Sequence, residues 1–459
     1  MTIITLLIPF ILGLAVVASL LGPRAKFFGF SEKLALAFAV GWAAHAIVMF
    51  LISLIGVPLV FLNIMSADLA LAAALTFFSF KSLDWQSWRP RRPARPSLFS
   101  LVLLAVIGVK FLSVAWASFI KPVLDPDIIR CYALGAKMIW LHHSILINGP
   151  WGDKPLMPFL SQAWTAIGPN VWDDALLTLP NPWFFLSFLI IFYSVLARYY
   201  KTWYALLATL LLATIPFLVY QAGTAYTDFT QAFYYSLATF YLFLFMKEFK
   251  RDKEAAAGYL LIGSLLLGLS LWAKRSGLYY AAIDLTALGA FLIVNRQAIG
   301  KNERRTLLQS AALLIAIAAP WLLFNQYSTV KGYFVEVTSA APVLPDLQPH
   351  SLPVLSALYR NSFFEANWQF LGLLFCAAIA LYPKRVLAGQ RGFLLLIIAL
   401  QLACLFALFR FTSLYQYIFN ETLLNRLTCH FIPVILYYCT EVIGAGEAVL
   451  LLSRPERAD

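Results

Sequence analysis

Long apolar runs separated by short polar stretches recur along this chain from end to end. A helix needs roughly 17 to 25 apolar residues to cross the hydrocarbon layer of a membrane. On this basis the pattern predicts about thirteen spans, near residues 2 to 21, 33 to 55, 57 to 80, 99 to 119, 178 to 198, 203 to 222, 229 to 247, 256 to 273, 277 to 295, 306 to 325, 367 to 383, 392 to 411 and 429 to 452. Because lipid offers the backbone no hydrogen-bond partners, each run is expected to be a helix.

The composition favours the same fold class. Of the 459 residues, 61% are hydrophobic and only 12% are charged, so no water-soluble fold could bury the apolar surface. The sequence therefore predicts an all-α integral membrane protein, a polytopic bundle of about thirteen transmembrane helices. The first run has no basic region before it and no convincing cleavage site, and we expect it to be retained as a span.

The net charge of +12 lies in short Lys and Arg clusters between the apolar runs, for example at 89 to 95 and 296 to 305. This distribution is typical of positive-inside topology and argues against a nucleic-acid partner. Alternating the spans places 23 of the 34 Lys and Arg on one face. We therefore expect a multi-pass protein of the cell (inner) membrane, with the N-terminus outside and the C-terminus in the cytoplasm.

Two exterior loops are long, at about 120 to 177 and about 326 to 366. Loops of this length are usually functional or disordered. The first contains the segment 129 to 145, which can form an amphipathic helix along the membrane interface. The second is interrupted by prolines.

Acidic and basic side chains recur where successive predicted spans meet the exterior. Asp125 and Asp127 follow the fourth predicted span, and Asp228 begins the seventh. Lys274 and Arg275 follow the eighth. Carboxylates facing cations suit transfer from a lipid phosphate, because an acid can take the acceptor proton while cations hold the phosphate. Asp125 and Asp127 could instead bind a divalent metal, Mg²⁺ or Mn²⁺, whereas the five cysteines show no metal-binding or disulfide spacing.

From about 99 to 325 the chain resembles the GT-C superfamily of glycosyltransferases, in particular its protein-mannosyltransferase and aminoarabinose-transferase branch. The resemblance rests on the order of several strings: a basic loop before a span, an acid just outside it (Asp127), Lys154-Pro155 with Pro158, then ATIPFLVYQAGTAYTD and GLSLWAKRSG. It implies a catalytic core at 99 to 325 with a long exterior first loop. The three additional N-terminal helices and basic cytoplasmic loop predicted in 1 to 98 lie outside this core, as do the exterior loop and C-terminal helices predicted in 326 to 459.

The resemblance also implies an activity, which is transfer of a sugar from a polyprenyl-phosphate-linked donor to a lipid, glycan or protein acceptor at the exterior face. The reaction would be an inverting single displacement, within glycan biosynthesis of the cell envelope. Asp127 is the expected base, with Asp125 as the other candidate. No cofactor is certain, since only some GT-C enzymes need a metal. The other expected site residues are Asp228 with Tyr226 at the acceptor, Lys274, Arg275, Arg426 and His430 at the phosphate, and Arg130 with Lys154 in the interface loop.

Two alternatives from other classes stay open. A secondary transporter or a flippase for lipid-linked saccharide would use Lys110, Asp68 and Asp284 as a midplane site, and it predicts inverted repeats. A polymerase or ligase of the O-antigen type would act through the loop at 326 to 366 with Arg426 and His430. Accumulation of a lipid-linked sugar on deletion would favour an enzyme over a transporter.

Overall fold

The computed structural model describes residues 2–82, 84–90, 96–121, 123, 125–152, 154–328, 351–418 and 422–446. Within these residues the chain forms helices and no β-strand. The helices of the first half are α1 (Thr2–Leu21), α2 (Phe30–Leu54), α3 (Phe61–Ser79), α4 (Leu98–Ile120), α5 (Leu134–His142), α6 (Met157–Ile167), α7 (Asn181–Ala197), α8 (Thr202–Thr214) and α9 (Pro216–Ala222).

The second half continues in the same way. Its helices are α10 (Asp228–Glu248), α11 (Lys253–Ala273), α12 (Gly277–Val294), α13 (Lys301–Tyr327), α14 (Ser351–Phe363), α15 (Leu371–Leu381), α16 (Pro383–Val386), α17 (Arg391–Phe411), α18 (Thr422–Cys429) and α19 (Ile432–Gly444). Short 3₁₀ turns join several of them, and a π-helical segment, Ile128–Ala133, leads into α5.

The described residues contain nine helices long and apolar enough to cross a membrane, or eleven if each of two bent helix pairs counts as one span. The expected multi-pass helical membrane fold is therefore confirmed, but the predicted count of thirteen is not. Two predicted spans account for the difference. α10 is long but carries many Tyr, Thr and Ser residues, and α15 has only 11 residues.

One of the bent pairs is the predicted span 203 to 222, which divides into α8 and α9 with a bend of 70° between them. Pro216 causes the break, because a proline lacks the N–H that would continue the helix and pushes the preceding residue out of the α region. Ile215 is accordingly extended, with φ −63° and ψ 113°. The bend turns α9 across the end of the bundle where Asp228 lies.

The centre of the bundle is the antiparallel pair α10 and α11, whose side chains are almost all buried. The short turn between Glu248 and Lys253 makes the two helices run back along each other. The first residue of α10, Asp228, and the residue after α11, Lys274, therefore lie at the same end of the pair. The length of α10, 21 residues, separates this end of the pair from the turn at the other end by about 30 Å.

The N-terminal helices pack against this core. Gly13 of α1 and Gly41 of α2 allow the two backbones to approach closely, since a Cβ at Gly41 would lie 2.0 Å from the Pro9 carbonyl oxygen. Small residues at such crossings are typical of membrane helices. Glu32 of α2 is buried and forms an ion pair with Arg198, the residue after α7. The division at residues 98 and 325 stays a prediction.

The two predicted exterior loops differ in how much of each is described. The first contains the π-helical segment, α5 and α6, so the segment predicted to be helical at 129 to 145 is helical up to His142. Most of the second, residues 329–350, lies outside the described residues. Its remaining part includes α14.

Candidate active site

Asp228 is the buried centre of a cluster of charged groups at one end of the bundle. As the first residue of α10 it is 0% exposed. Lys274 Nζ donates a hydrogen bond to its Oδ1, Arg426 Nε donates to its Oδ2 at 2.9 Å, and His430 Nε2 lies 2.9 Å from Oδ1. A buried carboxylate is costly unless it is paired, and these contacts satisfy that requirement with three groups from two separate parts of the chain.

Arg426, on α18, connects this buried acid to an exposed one. Its Nη1 donates to Oδ2 of Asp127 at 3.0 Å, and its guanidinium lies 4.7 Å from the ring centroid of Tyr226. The Asp127 side chain is 63% exposed, whereas that of Asp228 is 0% exposed. One guanidinium therefore holds two carboxylates in fixed positions, and only that of Asp127 is open to a substrate.

His430 is held on both sides of its ring. Tyr280 of α12 donates its hydroxyl to the Leu427 carbonyl at 2.9 Å, and the same hydroxyl lies 3.0 Å from His430 Nδ1. His430 is completely buried. Since both ring nitrogens have partners, the orientation of the imidazole against Asp228 is fixed.

Burial shifts the proton affinity of two groups at the site. It lowers the pKa of the Lys274 ammonium, and the neighbouring Asp228 carboxylate offsets part of that effect. It raises the pKa of the Tyr226 hydroxyl to about 12, although Arg426 acts in the opposite direction. Tyr226 therefore stays protonated at neutral pH and can donate a hydrogen bond.

Asp125 lies beside the cluster and has a different partner. The Tyr220 hydroxyl of α9 donates to its Oδ1 at 3.2 Å, and the Lys121 ammonium lies 4.7 Å from the Tyr220 ring centroid. Asp125 and Asp127 thus differ in their surroundings, because Asp127 contacts an arginine and Asp125 a phenol.

The remaining predicted residues lie around this centre. Arg130 and Arg275 are exposed. Lys154 is half-buried next to the Cys131 thiol, whose pKa is raised by burial and lowered in part by Lys154. Among the described residues, no group of three or more His, Cys, Asp or Glu side chains could hold a metal ion. A magnesium or manganese ion at Asp125 and Asp127 stays a prediction.

Sequence reasoning missed two residues of the site, Tyr280 and Tyr220. Each contacts a predicted site residue through its hydroxyl. Tyrosines at span ends are ordinary members of the aromatic belt, so the sequence contains no signal that separates these two. Only the packing of α9 and α12 reveals them.

The two acids of the transporter alternative, Asp284 and Asp68, have separate polar partners. Asp284 accepts hydrogen bonds from Thr239 at 2.9 Å and from Tyr235 at 3.1 Å. Asp68 lies 2.6 Å from His45, both completely buried. Each acid therefore has a local partner, as expected for a buried structural group.

No family model matches the chain, and no curated protein matches it either. The fold of the chain does match solved structures. ArnT from Cupriavidus metallidurans, solved bound to undecaprenyl phosphate, has a TM-score of 0.52 and 15% identity to this chain, covering 75% of this chain and 60% of ArnT. The archaeal oligosaccharyltransferase AglB from Archaeoglobus fulgidus, in complex with an inhibitory peptide and a dolichol-phosphate, has a TM-score of 0.45 and 15% identity, covering 76% and 51%.

The likeness to ArnT decides the fold. This chain has a GT-C-like fold. The expected resemblance is thereby confirmed for the architecture. The chain spans about 60% of the length of ArnT.

Proposed function

We propose that this protein is a membrane glycosyltransferase. It moves a sugar from a polyprenyl-phosphate-linked donor to a lipid, glycan or protein acceptor at the exterior face of the cell membrane. The observation that carries the proposal is the contact of the buried Asp228 with the partly buried Lys274 and Arg426, and of Arg426 with the exposed Asp127. ArnT, which has the similar fold, was solved with undecaprenyl phosphate.

The proposed reaction is a single displacement. Asp127 takes the proton of the acceptor hydroxyl while the acceptor oxygen attacks the anomeric carbon. The bond between that carbon and the phosphate oxygen breaks, and the electron pair leaves with the polyprenyl phosphate. The anomeric centre is inverted. A positioned base of this kind contributes about 10² to 10⁴ in rate.

Lys274 and Arg426 would hold the phosphate of the donor and of the leaving group. The phosphate gains negative charge as the glycosidic bond breaks, so nearby cations stabilise the transition state more than the ground state. Asp228, in contact with both cations, would keep them at the right place while the site is empty. Tyr226, protonated and beside Arg426, would donate to the acceptor or to the phosphate.

Arg426 would also control the base. In the structure its Nη1 is bound to Asp127, and a phosphate, which guanidinium binds with two parallel hydrogen bonds, would compete for the same group. Donor binding would then free Asp127 to accept a proton. The base would be released only when a donor is present.

The direct test is release of polyprenyl phosphate. Purified protein in nanodiscs, given an undecaprenyl-phosphate-linked sugar labelled in the phosphate and a mixture of cell-envelope lipids, should release labelled undecaprenyl phosphate. The expected products are the free lipid phosphate and a glycosylated acceptor. Movement of the intact labelled lipid between the two leaflets of a vesicle, without release, would instead support the transporter alternative.

The proposed orientation has the Asp228 end of the bundle outside. A single cysteine at position 127 should then react with an impermeant maleimide in intact cells, because this side chain is 63% exposed. A cysteine at the exposed position 251, at the opposite end of α10, should react only after permeabilisation. The exposed native Cys376 and Cys404 are replaced by serine in both variants. The reverse labelling pattern would place the active site on the cytoplasmic side.

A further inference from the structure

A cavity of about 480 Å³ opens at the end of the bundle opposite to Asp228. It lies among the 3₁₀ segment Gly22–Phe27, the last turn of α10, and the first turns of α11 and α13. The length of α10, 21 residues, separates it from Asp228 by about 30 Å. It therefore lies in the other leaflet from the candidate active site and takes no part in the chemistry proposed there.

The acids of the cavity already have basic partners. Glu303 Oε1 lies 2.7 Å from Lys253 Nζ, and its Oε2 accepts the Gly300 N–H at 2.8 Å. Glu254 Oε2 accepts a hydrogen bond from Lys26 at 2.7 Å. Neither carboxylate needs a further cation.

Two arginines that line the cavity have no acidic partner among the described residues. Within the described part of the chain, the side chains of Arg24 and Arg305 have no ion pair or hydrogen bond. They come from different elements, the 3₁₀ segment and α13, and both line the cavity. Two guanidinium groups at one cavity suit an anion with several oxygens, because each can donate two parallel hydrogen bonds to a phosphoryl group.

Half of the other twelve residues that line the cavity are apolar. Phe245, Phe249, Leu260 and Leu307 form part of the wall. Phe245, Phe249 and Leu260 are already buried in the bundle, and Leu307 is partly exposed. The glycerol and first acyl carbons of a lipid would cover this exposed part, whereas a free phosphate ion would not. The combination of two cations and an apolar wall at the end of a membrane bundle therefore favours an amphipathic phosphate.

We propose that this cavity binds the phosphoryl headgroup of a membrane phospholipid, with Arg24 and Arg305 as its ligands. The shared chemistry is a phosphoryl group, which could also come from a soluble phosphate. The lipid is the occupant that the apolar wall favours. The site is separate from the donor site at Lys274 and Arg426, and its occupancy does not depend on glycosyl transfer.

The test uses the purified full-length protein and three probes in a thermophoresis titration. These are dihexanoyl phosphatidic acid, which has an accessible phosphoryl group, dihexanoyl phosphatidylcholine, in which the choline covers it, and inorganic phosphate. We expect binding of the phosphatidic acid and much weaker binding of the other two. Equal affinity for inorganic phosphate and phosphatidic acid would overturn the assignment to a lipid.

The variants decide whether these arginines are the ligands. Arg24→Gln with Arg305→Gln should weaken phosphatidic acid binding by at least about tenfold, since hydrogen bonds to charged groups are lost. Arg304→Gln is the matched control, because Arg304 is an exposed neighbour on the same helix outside the cavity lining. An equal melting temperature for the double variant and the parent shows that the fold is intact. Unchanged affinity in the double variant, or an equal loss in the Arg304 control, would refute the site.

Discussion

Replacing Asp127 by Asn should lower the turnover of the proposed transfer by about 10² to 10⁴, the usual contribution of a positioned base. The side chain is 63% exposed and its loss of charge leaves no buried group unpaired, so folding and membrane insertion should be unaffected. Arg426 keeps its contact with Asp228, and an amide oxygen at position 127 can still accept from it. A neutral amide competes less strongly than a carboxylate with the donor phosphate for Arg426, so the affinity for the donor should rise somewhat while kcat falls.

Asp125→Asn is the matched control for this prediction. Asp125 accepts a hydrogen bond from Tyr220, and an asparagine can accept the same bond through its amide oxygen. Turnover should fall much less than in Asp127→Asn. The two variants are compared by the rate of polyprenyl phosphate release at saturating donor. The reverse order would make Asp125 the base, and full activity in both variants would exclude the proposed mechanism.

The sequence predicts the part of the site that depends on helix order. Asp228 precedes one apolar run and Lys274 follows the next, and two antiparallel helices joined by a short turn must place these residues at the same end. The structure joins them by a hydrogen bond. Helix order determines where Asp228 and Lys274 lie, but it does not determine whether they take part in catalysis. Their catalytic roles therefore remain predictions.

The contact that completes the site depends on tertiary packing. Arg426 lies 198 residues from Asp228 and 299 from Asp127 along the chain, and no periodicity relates these distances. The sequence suggested Arg426 and His430 only as candidates for binding phosphate or acceptor. That Arg426 joins the two acids follows from where α18 and α19 pack against α10, which depends on the fit of many side chains.

Helix boundaries show the same limit. The apolar pattern identifies the bundle, yet it describes 203 to 222 as one straight span although Pro216 bends it by 70°. A proline within an apolar run can begin a helix, bend one or end one, and the neighbouring helices decide which. Here the bend brings Tyr220 to Asp125, so the feature that the pattern missed also shapes the site.

Lys274→Met should weaken the binding of polyprenyl phosphate and lower turnover together, because the ammonium would contact the phosphate before and after transfer. Asp228 would keep Arg426 and His430 as partners, and the variant should therefore still fold, with some loss of stability. Removing one member of a buried ion pair costs about 3–5 kcal/mol when nothing else compensates, and here two contacts remain. Binding is measured by titration with undecaprenyl phosphate and stability by thermal unfolding in detergent.

Arg275→Met is the matched control, since it removes a neighbouring positive charge from an exposed side chain.

The pH dependence of binding separates a phosphate ligand from a residue that only supports the fold. Burial lowers the pKa of Lys274 from its ordinary value of 10.5, so the ammonium loses its charge as the pH rises through this lowered pKa. Affinity for undecaprenyl phosphate should then fall at a more acidic pH than for an ordinary lysine. Lys274→Arg should keep its affinity for undecaprenyl phosphate at alkaline pH, because a guanidinium stays charged. If the affinity of Lys274→Arg falls over the same pH range as that of the parent, the titrating group is not Lys274. Undiminished binding by a Lys274→Met/Arg275→Met double variant would show that neither cation contacts the phosphate.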